Sequence, residues 1–257
     1  PGGAGYAISL ASGSSEVLVE NNAVHDANKV MVVRSSGAGS VIAYNYMDNG
    51  IIASNLEWIE TGLNGSHMAG SHHILFEGNE SFNYDSDNTH GSALAMTVFR
   101  NHLVGRRAGY GGTGNQRGAG LMFGSWWHAF IGNVLGEPEH MEGWSYEDPG
   151  DGSTRSRSDA WQAGAVIWKL GYDPGHWDQV ADPKVRSTVL RDGNFDYVTG
   201  EVRWDRPARP LPASLYLTEK PAFFGDEPWP WVDPTGQRKL GSLPAKRLVG
   251  QPPTPGQ

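Results

Sequence analysis

The sequence contains no cysteine, which excludes disulfide bonds, thiolate metal ligands and cysteine nucleophiles. It contains no run of Lys or Arg, and its formal net charge is -8, so a nucleic-acid partner is not expected. No apolar segment approaches the roughly 20 residues that a membrane-spanning helix requires. These absences direct attention to polar chemistry carried by His, Asp, Glu, Lys, Arg and Tyr side chains.

Glycine and the aromatic residues are abundant instead. The 257 residues include 35 Gly and 16 Pro, a content that favours many turns and disfavours long helices. The 10 Trp and 9 Tyr can pack a core, and they can also stack against sugar rings. The sequence pI of about 5.5 means that an anionic polymer has to meet a local basic patch.

An internal repeat runs through most of the chain. Five segments share alternating apolar residues followed by Asn and a further apolar residue, and a sixth segment, TVLRDGNFDYV, is looser. The asparagines are Asn22, Asn45, Asn79, Asn101, Asn133 and Asn194. Successive intervals among the first five are 23, 34, 22 and 32 residues. Short strands with Asn at a turn, repeated about every 22 residues, predict a right-handed parallel β-helix whose asparagines form a ladder.

The β-helix interpretation also assigns faces and loops. Val17, Ile42, Ile74, Met96 and Phe130 are expected near the start of one strand, with Val19, Phe76 and Val98 two residues later facing inward. The longer intervals predict loop insertions on one side of the stack, where solenoids often carry their binding face.

A second strand is expected after each Asn, and its character changes along the chain. It reads KVMVVR in the first coil, IIASN in the second and DSDNTH in the third. The same side of the β-helix therefore changes from apolar to polar inside the stretch 67–107, which is the densest in His, Asp, Glu and Arg. This change is the best local sign of a functional site.

The chain after Trp204 has a different composition, because repeated Pro excludes regular sheet or helix. We predict a parallel β-helix domain over 1–204 and an extended Pro/Trp-rich tail over 205–250 packed on its side. Residues 251–257 are predicted to be a disordered end or linker. The chain starts almost inside a strand, which indicates the later part of a longer protein, and an N-terminal part of the same protein is a candidate partner.

With the repeat and the polar third coil in view, residues 5–194 resemble the pectate-lyase-like superfamily of right-handed parallel β-helix proteins. The resemblance implies a secreted or extracellular enzyme that cuts polysaccharides. Most relatives in that superfamily are enzymes of this kind, either uronate lyases or hydrolases. The polygalacturonase pattern of an Asp-Asp pair, Gly-His-Gly and Arg-Ile-Lys is absent; only DSDNTHG is present. The resemblance therefore favours a lyase that cleaves a uronate polymer by β-elimination over a glycoside hydrolase with paired carboxylates.

β-Elimination requires a neutralised substrate carboxylate, a base for the C5 proton and an acid for the leaving oxygen. The residues predicted to be catalytic are His90, Asp87, Arg100 and His102. Those predicted to bind substrate are Lys29, His67, Asp85, Arg106, Arg107 and Trp127. Asp85 and Asp87 lie two residues apart on an expected strand, so they could share a hard cation such as Ca²⁺.

Structural interpretations compete with these roles. DSDN is also a good turn sequence, and Arg100 directly precedes the repeat residue Asn101. Glu77 is expected at an exposed strand position, and the segment NGSHMAGS around His67 is expected to be a flexible loop. A non-catalytic glycan-binding or adhesion module is the alternative function. The polar third coil favours the enzyme, because a binding module needs aromatic residues but no cluster of acid, base and cationic groups.

Overall fold

The structure, a computed structural model, is mostly β. The residues that it describes are 5–27, 29–50, 62–105, 116–148, 165–172 and 182–249, with the backbone alone at 26, 29, 30 and 48–50. These ranges contain the α-helix α1 (Pro183–Thr188) and short 3₁₀ segments at Ala222–Phe224 and Pro244–Leu248. No helix within them is both long enough and apolar enough to cross a membrane.

One sheet has seven parallel strands. They are β1 (Tyr6–Leu10), β4 (Lys29–Val33), β7 (Leu63–Ser66), β10 (Tyr84–Ser86), β13 (Arg117–Met122), β16 (Ser145–Asp148) and β17 (Val166–Tyr172). Their spatial order is β1-β4-β7-β10-β13-β17-β16.

A twelve-stranded sheet forms two limbs. The first limb contains β2 (Leu18–Glu20), β5 (Val41–Ala43), β8 (Leu75–Glu77), β11 (Thr97–Phe99), β14 (Ala129–Ile131) and β18 (Leu190–Asp196). The second contains β3 (Ala23–Ala27), β6 (Tyr46–Gly50), β9 (Glu80–Ser81), β12 (His102–Leu103) and β15 (Val134–Leu135). Strand β18 pairs with both β14 and β15 and so joins the limbs, and β19 (Val202–Trp204) is antiparallel to it.

From β2 to β16 the chain visits these strand sets in a fixed cycle: first limb, second limb, then the seven-stranded sheet. Within that part, each strand of the two limbs pairs in parallel with the strand one cycle later, for example Thr97 with Leu75 and His102 with Glu80. In the seven-stranded sheet, β13 pairs with β17, and β16 lies beyond β17 at the edge. The predicted mostly β chain with parallel strands stacked in register is confirmed, and it is consistent with a parallel β-helix.

The corner between the two limbs is the most regular part of the fold. Asn side chains from successive coils hydrogen-bond to one another over Nδ2–Oδ1 distances of 2.8–3.1 Å. The residue before each Asn has a left-handed φ, as at Tyr44 (54°) and Gly78 (64°). A Cβ on Gly78 would also collide with the Tyr44 ring, so this corner requires glycine for two reasons.

The interior between the sheets holds the apolar core. Met31, Leu63, Tyr84, Ala119 and Trp168 align across the seven-stranded sheet and pack inward against the first limb. One predicted column was wrong by two residues. Ile42 and Phe130 align with Val19, Phe76 and Val98, not with Val17 and Ile74.

Several predicted boundaries need correction. Leu63–Ser66 is a buried strand instead of a flexible loop, because it supplies the partner of β10. The strand predicted over DSDNTH covers only Tyr84–Ser86. The turn residues and mixed charge of 137–159 predict a long surface loop, but strand β16 lies within that segment. The second-coil strand predicted at 51–55, and the end at 251–257, lie outside the described residues.

Residues 205–249 contact the outer side of the two-limbed sheet. Phe224, Trp231 and Leu243 form an apolar cluster with Tyr44 and Val134 of the coils. The small pair β20 (Val232–Asp233) and β21 (Arg238–Lys239) lies in this segment. This segment therefore covers the outer face of the Asn corner, the face that points away from the core. The division of the chain into separate domains remains a prediction.

Candidate functional site

The outer face of the seven-stranded sheet carries the polar residues of interest. Tyr84 and its aligned neighbours point into the core, so the next position along each strand points outward. That outward column runs through Val32, Asn64, Asp85, Gly120 and Lys169. Asn64, Asp85 and Lys169 are buried although they lie on the outer face of the sheet. The column changes from apolar to polar between β4 and β7.

Asp85 is held in a buried ion pair. Arg117 Nε and Nη2 donate to Asp85 Oδ2 at 3.0 and 2.5 Å, and the Tyr172 hydroxyl donates to Oδ1 at 3.0 Å. Burial raises the pKa of the Asp85 carboxyl, and the Arg117 guanidinium opposes that shift. Burial also raises the pKa of Tyr172, which keeps the phenol protonated as a donor.

Gly120 makes room for this pair. A Cβ at Gly120 would collide with Asp85 Oδ1 and with Arg117 Nε. The absence of a side chain on β13 therefore lets the guanidinium lie flat along the outer face and reach β10.

Asp87, His67 and Tyr6 form a second polar group, which we call the acid–base group. His67 Nδ1 lies 3.0 Å from Asp87 Oδ2, and His67 Nε2 lies 3.3 Å from the Tyr6 hydroxyl oxygen. The Tyr6 and His67 rings meet edge to face at 5.9 Å. The His67 side chain is 13% exposed and Tyr6 is half-buried, so the group can be reached from solvent.

The position of Asp87 is over-determined. Its carboxylate also accepts from Asn64 Nδ2 at 2.6 Å and from the Thr89 backbone N–H at 3.1 Å. The Asp87 backbone N–H donates to the Ser66 carbonyl oxygen of the preceding coil. A carboxylate fixed in this way favours the His67 tautomer that carries its proton on Nδ1 and leaves the lone pair on Nε2.

Two further basic side chains, His90 and Arg34, border the acid–base group. The exposed His90 ring lies 5.1 Å from the His67 ring, edge to face. The Arg34 guanidinium carbon lies 5.7 Å from the Tyr6 ring centroid. Arg34 Nε is buried and has no hydrogen-bond partner within the part of the chain that the structure describes. Arg34 as a whole is half-buried, so its guanidinium supplies a positive charge at the border of the acid–base group.

The structure brings four of the predicted site residues to one face: His67, Asp85, Asp87 and His90. Only the backbone position of Lys29 is described. It pairs in the sheet with Tyr6, a member of the acid–base group, and it lies three residues before Val32, the residue aligned with Asn64 and Asp85. The Lys29 side chain, Arg106 and Arg107 lie outside the described residues.

Arg100 and His102 are not brought to the acid–base group. Both belong to the Asn corner of the two-limbed sheet, where residues 205–249 cover them. Arg100 donates to the carbonyl oxygens of Leu211, Pro212 and Val232, and His102 Nε2 lies 3.0 Å from the Gly136 oxygen. Their surroundings therefore support structural roles, and we remove both from the candidate site.

Glu77 also differs from expectation. It is buried, and it accepts hydrogen bonds from the Tyr44 hydroxyl at 2.9 Å and the Leu215 backbone N–H at 2.9 Å. Burial raises the pKa of this carboxyl. The predicted exposed strand position is wrong, because the segment after residue 204 lies over it. Trp127 is exposed at a different corner, before β14.

The residues present do not fit the calcium site predicted at Asp85 and Asp87. Both oxygens of Asp85 already accept hydrogen bonds from Arg117 or Tyr172, and Asp87 is engaged by His67 and Asn64. Within the described ranges, no three His, Asp or Glu side chains gather closely enough to hold a metal ion.

Five residues of this face were missed by sequence reasoning: Tyr6, Asn64, Arg117, Lys169 and Tyr172. A signal existed for one of them. Lys169 interrupts the apolar run AVIWKLGY at an alternate position, which indicates a strand with one functionalised face. Tyr6 and Arg117 gave no such signal. The contact of Tyr6 with His67 and that of Arg117 with Asp85 both depend on the lengths of the loops between strands.

Comparison of the chain with protein-family models, curated proteins and solved structures gave no match. The resemblance to the pectate-lyase-like superfamily remains a prediction, and the function has to be inferred from the geometry of the site.

Proposed function

We propose that this protein is a secreted enzyme that cleaves a uronate-containing polysaccharide by β-elimination, with His67 as the base. The observation that carries the proposal is the hydrogen-bonded series Asp87–His67–Tyr6 on an accessible face. Asp87 orients the imidazole, and Nε2 is the atom that takes a proton. A carboxylate, an imidazole and a hydroxyl in series are a common arrangement for acid–base catalysis.

Each proton in the reaction has a carrier. His67 Nε2 takes the C5 proton of the uronate, the C5–C4 double bond forms, and the C4–O bond breaks. The Tyr6 hydroxyl gives its proton to the departing glycosidic oxygen and regains one from His67 Nε2. The C5 proton becomes acidic enough only when the adjacent carboxylate is neutralised, and Arg34 is the cation beside Tyr6 that can pair with it.

Arg117 is less suited to that pairing because two of its nitrogens already bond Asp85. The same contacts count against hydrolysis by paired carboxylates. A buried Asp85 with both oxygens engaged is a poor general acid or base, whereas the acid–base group needs only one carboxylate. A purely adhesive module would have no use for the series Asp87–His67–Tyr6.

The test is a screen of polygalacturonate, alginate and hyaluronate for new unsaturated ends by ultraviolet absorbance, with a parallel assay for reducing ends. His67→Gln is expected to lower kcat by about 10²–10⁴-fold. His140→Gln is the matched control, because His140 is an exposed histidine of another segment, between β15 and β16.

Reducing ends without unsaturated ends would replace elimination by hydrolysis. No product from any polymer, with the fold intact by circular dichroism, would leave the glycan-binding alternative in its place. A chelator arm tests the calcium alternative, and we expect no loss of activity in it.

A further inference from the structure

Trp127 is an unusual surface residue. It is 51% exposed, and the other large hydrophobic side chains exposed in the described ranges are all aliphatic. It also has a left-handed φ of 59°, a conformation that bulky residues rarely adopt. An indole kept at the surface in a costly backbone conformation needs an explanation other than packing.

The indole is held by fixed neighbours. The Trp127 backbone N–H donates to Thr188 Oγ1 at 3.2 Å, and its ring meets the Trp126 ring at 5.8 Å and 73°. Trp126 is itself fixed, because its Nε1 donates to Asp182 Oδ2 at 2.8 Å. A pre-organised aromatic surface loses little conformational entropy on binding a ligand.

A cation accompanies the two rings. Lys184, an exposed residue of α1, places Nζ 3.5 Å from the Trp126 ring centroid and 4.9 Å from the Trp127 centroid. Trp126, Trp127 and Lys184 together form what we call the Trp127 platform. The exposed Trp127 indole offers an apolar ring face near a positive charge, which is complementary to the apolar face and the carboxylate of an acidic sugar.

The platform continues along the stack of coils. Bridges pair His72 with Leu94 and Leu94 with Trp126, so the next residues, His73, Ala95 and Trp127, occupy equivalent corners. All three have left-handed φ values, of 51°, 54° and 59°. Ala95 has only a methyl group at the corner between the exposed residues His73 and Trp127, whose backbone positions are two coils, or about 10 Å, apart.

We propose that an acidic polysaccharide chain binds along this row of corners, with a sugar ring stacked on Trp127 and its carboxylate at Lys184. The ligand class rests on the proposed function, but binding here does not use the acid–base group. The platform would thus hold the polymer at a place separate from where it is cut.

The experiment measures binding to polygalacturonate, alginate and hyaluronate by affinity gel electrophoresis, in the His67→Gln background so that no polymer is consumed. Trp127→Gly is expected to weaken binding about tenfold through loss of the stacked indole. Glycine suits the left-handed φ, so this variant keeps its fold. Trp127→Tyr is expected to retain most of the binding.

Lys184→Gln should weaken binding to polygalacturonate and leave binding to its methyl-esterified form unchanged, because only the former presents carboxylates. Leu215→Ala is the matched control, since it removes a similarly exposed hydrophobic side chain elsewhere. Equal binding by Trp127→Gly and the parent, or no retention by any of the three polymers, would overturn the proposal. Binding that depends on Trp127 in a protein that cleaves nothing would sustain it and reject the proposed function.

Discussion

Asp87 shows how much of the proposed chemistry depends on one oriented side chain. Its carboxylate contacts the imidazole of His67, the amide of Asn64 and the backbone of Thr89. Asn64 comes from the preceding coil, so the geometry of the base is set by two strands at once. A catalytic group supported from separate strands is held more precisely than one on a single loop.

The first prediction concerns Asp87→Asn. The amide has nearly the same shape as the carboxylate, but it can present an NH₂ group to His67 Nδ1 and so favour the wrong tautomer. We expect kcat to fall by about 10²–10⁴-fold with KM little changed. Steady-state kinetics on the cleaved polymer measure both parameters. A kcat equal to that of the parent would remove Asp87 and His67 from the mechanism.

The second prediction concerns the buried pair. Arg117→Met leaves the Asp85 carboxylate without its cation, so we expect the free energy of unfolding to fall by about 3–5 kcal/mol. Adding Asp85→Leu should recover much of that loss, because the unpaired charge is then gone. Denaturant titration of the single and double variants checks this. Arg203→Met, which breaks an exposed pair with Glu201, is the control and should change little.

The third prediction concerns His128, which is fully buried and lies 3.2 Å from the Trp126 carbonyl oxygen. Burial lowers the pKa of His128 from 6.5 to about 4. The unfolded chain binds this proton more readily than the folded chain, so stability is lost as pH falls from about 6.5 towards 4. The loss attributable to His128 is about 3 kcal/mol across that window.

His128→Asn removes that titration, and the slope of unfolding free energy against pH between 6.5 and 4 should flatten in the variant. If the slope above pH 4.5 is the same in the variant and the parent, His128 is not the group responsible.

Glu80 changes stability in a separate range. Burial alone would raise the pKa of its carboxyl, but His102 and Lys246 outweigh it and hold the pKa at about 2. Its contribution, present above its unfolded pKa of 4.5, is lost as pH falls towards 2. The Glu80 contribution therefore changes below pH 4.5, and the range above pH 4.5 is the one that tests His128.

Among the structural elements, the Asn corner repeats the same hydrogen bonds from coil to coil. Asn101 Oδ1 accepts from the Asn79 backbone N–H and side chain, and Asn101 Nδ2 donates to the carbonyl oxygen of Phe76 and to Asn133. The fourth prediction is that Asn101→Ala lowers the free energy of unfolding by about 3 kcal/mol, because several buried polar groups lose partners.

Asn22→Ala provides the comparison. Asn22 is at one end of the described row and is only half-buried, so water can replace its hydrogen bonds to Asn45 and Glu20. We expect it to cost clearly less than Asn101→Ala in the same denaturant titration. Equal losses of unfolding free energy at both positions would mean that burial of the Asn side chain does not determine how much its hydrogen bonds stabilise the fold.

The parallel β architecture was predictable because its signals are local. Alternating apolar residues next to an Asn recur in the sequence, and Thr97–Phe99 and Ala129–Ile131 follow that pattern directly. Strand β7 was missed because Leu63–Ser66 has a polar, glycine-containing sequence that resembles a loop, and only its neighbours β4 and β10 make it a strand.

The candidate site was less predictable for the same reason. His67, Asp85, Asp87 and His90 are close in sequence, so their density was visible. Tyr6 lies 61 residues from His67, and Arg117 lies 32 residues from Asp85. Such contacts follow from how many residues lie between strands, which composition does not reveal. Arg100 was misread because nothing in its own segment indicates that residues after 204 will cover it.

At the scale of the whole molecule, one buried side chain makes three of the hydrogen bonds that attach the segment 205–249 to the coils. Arg100 donates to three of its carbonyl oxygens, those of Leu211, Pro212 and Val232. The fifth prediction is that Arg100→Met loosens this attachment, since carbonyl groups at the contact lose their donor. Limited proteolysis should then cut within 205–249 faster than in the parent.

Arg209→Met is a useful companion variant. Its Nη2 contacts the Asp192 carboxylate at 2.7 Å, but Arg206 contacts the same oxygen, so one donor remains after the substitution. A smaller increase in cleavage is therefore expected. Identical proteolysis patterns for the parent and Arg100→Met would show that the apolar cluster around Trp231 suffices to hold the segment.

The Asn corner has a consequence for how such a protein can change over evolutionary time. Consecutive asparagines lie 22 to 61 residues apart in the chain, yet neighbouring side chains meet at nearly the same distance. The rise of the stack is thus independent of the length of chain between corners. Insertions can accumulate on the far side of a coil without disturbing the rest, and a new specificity can arise there while the scaffold is inherited unaltered.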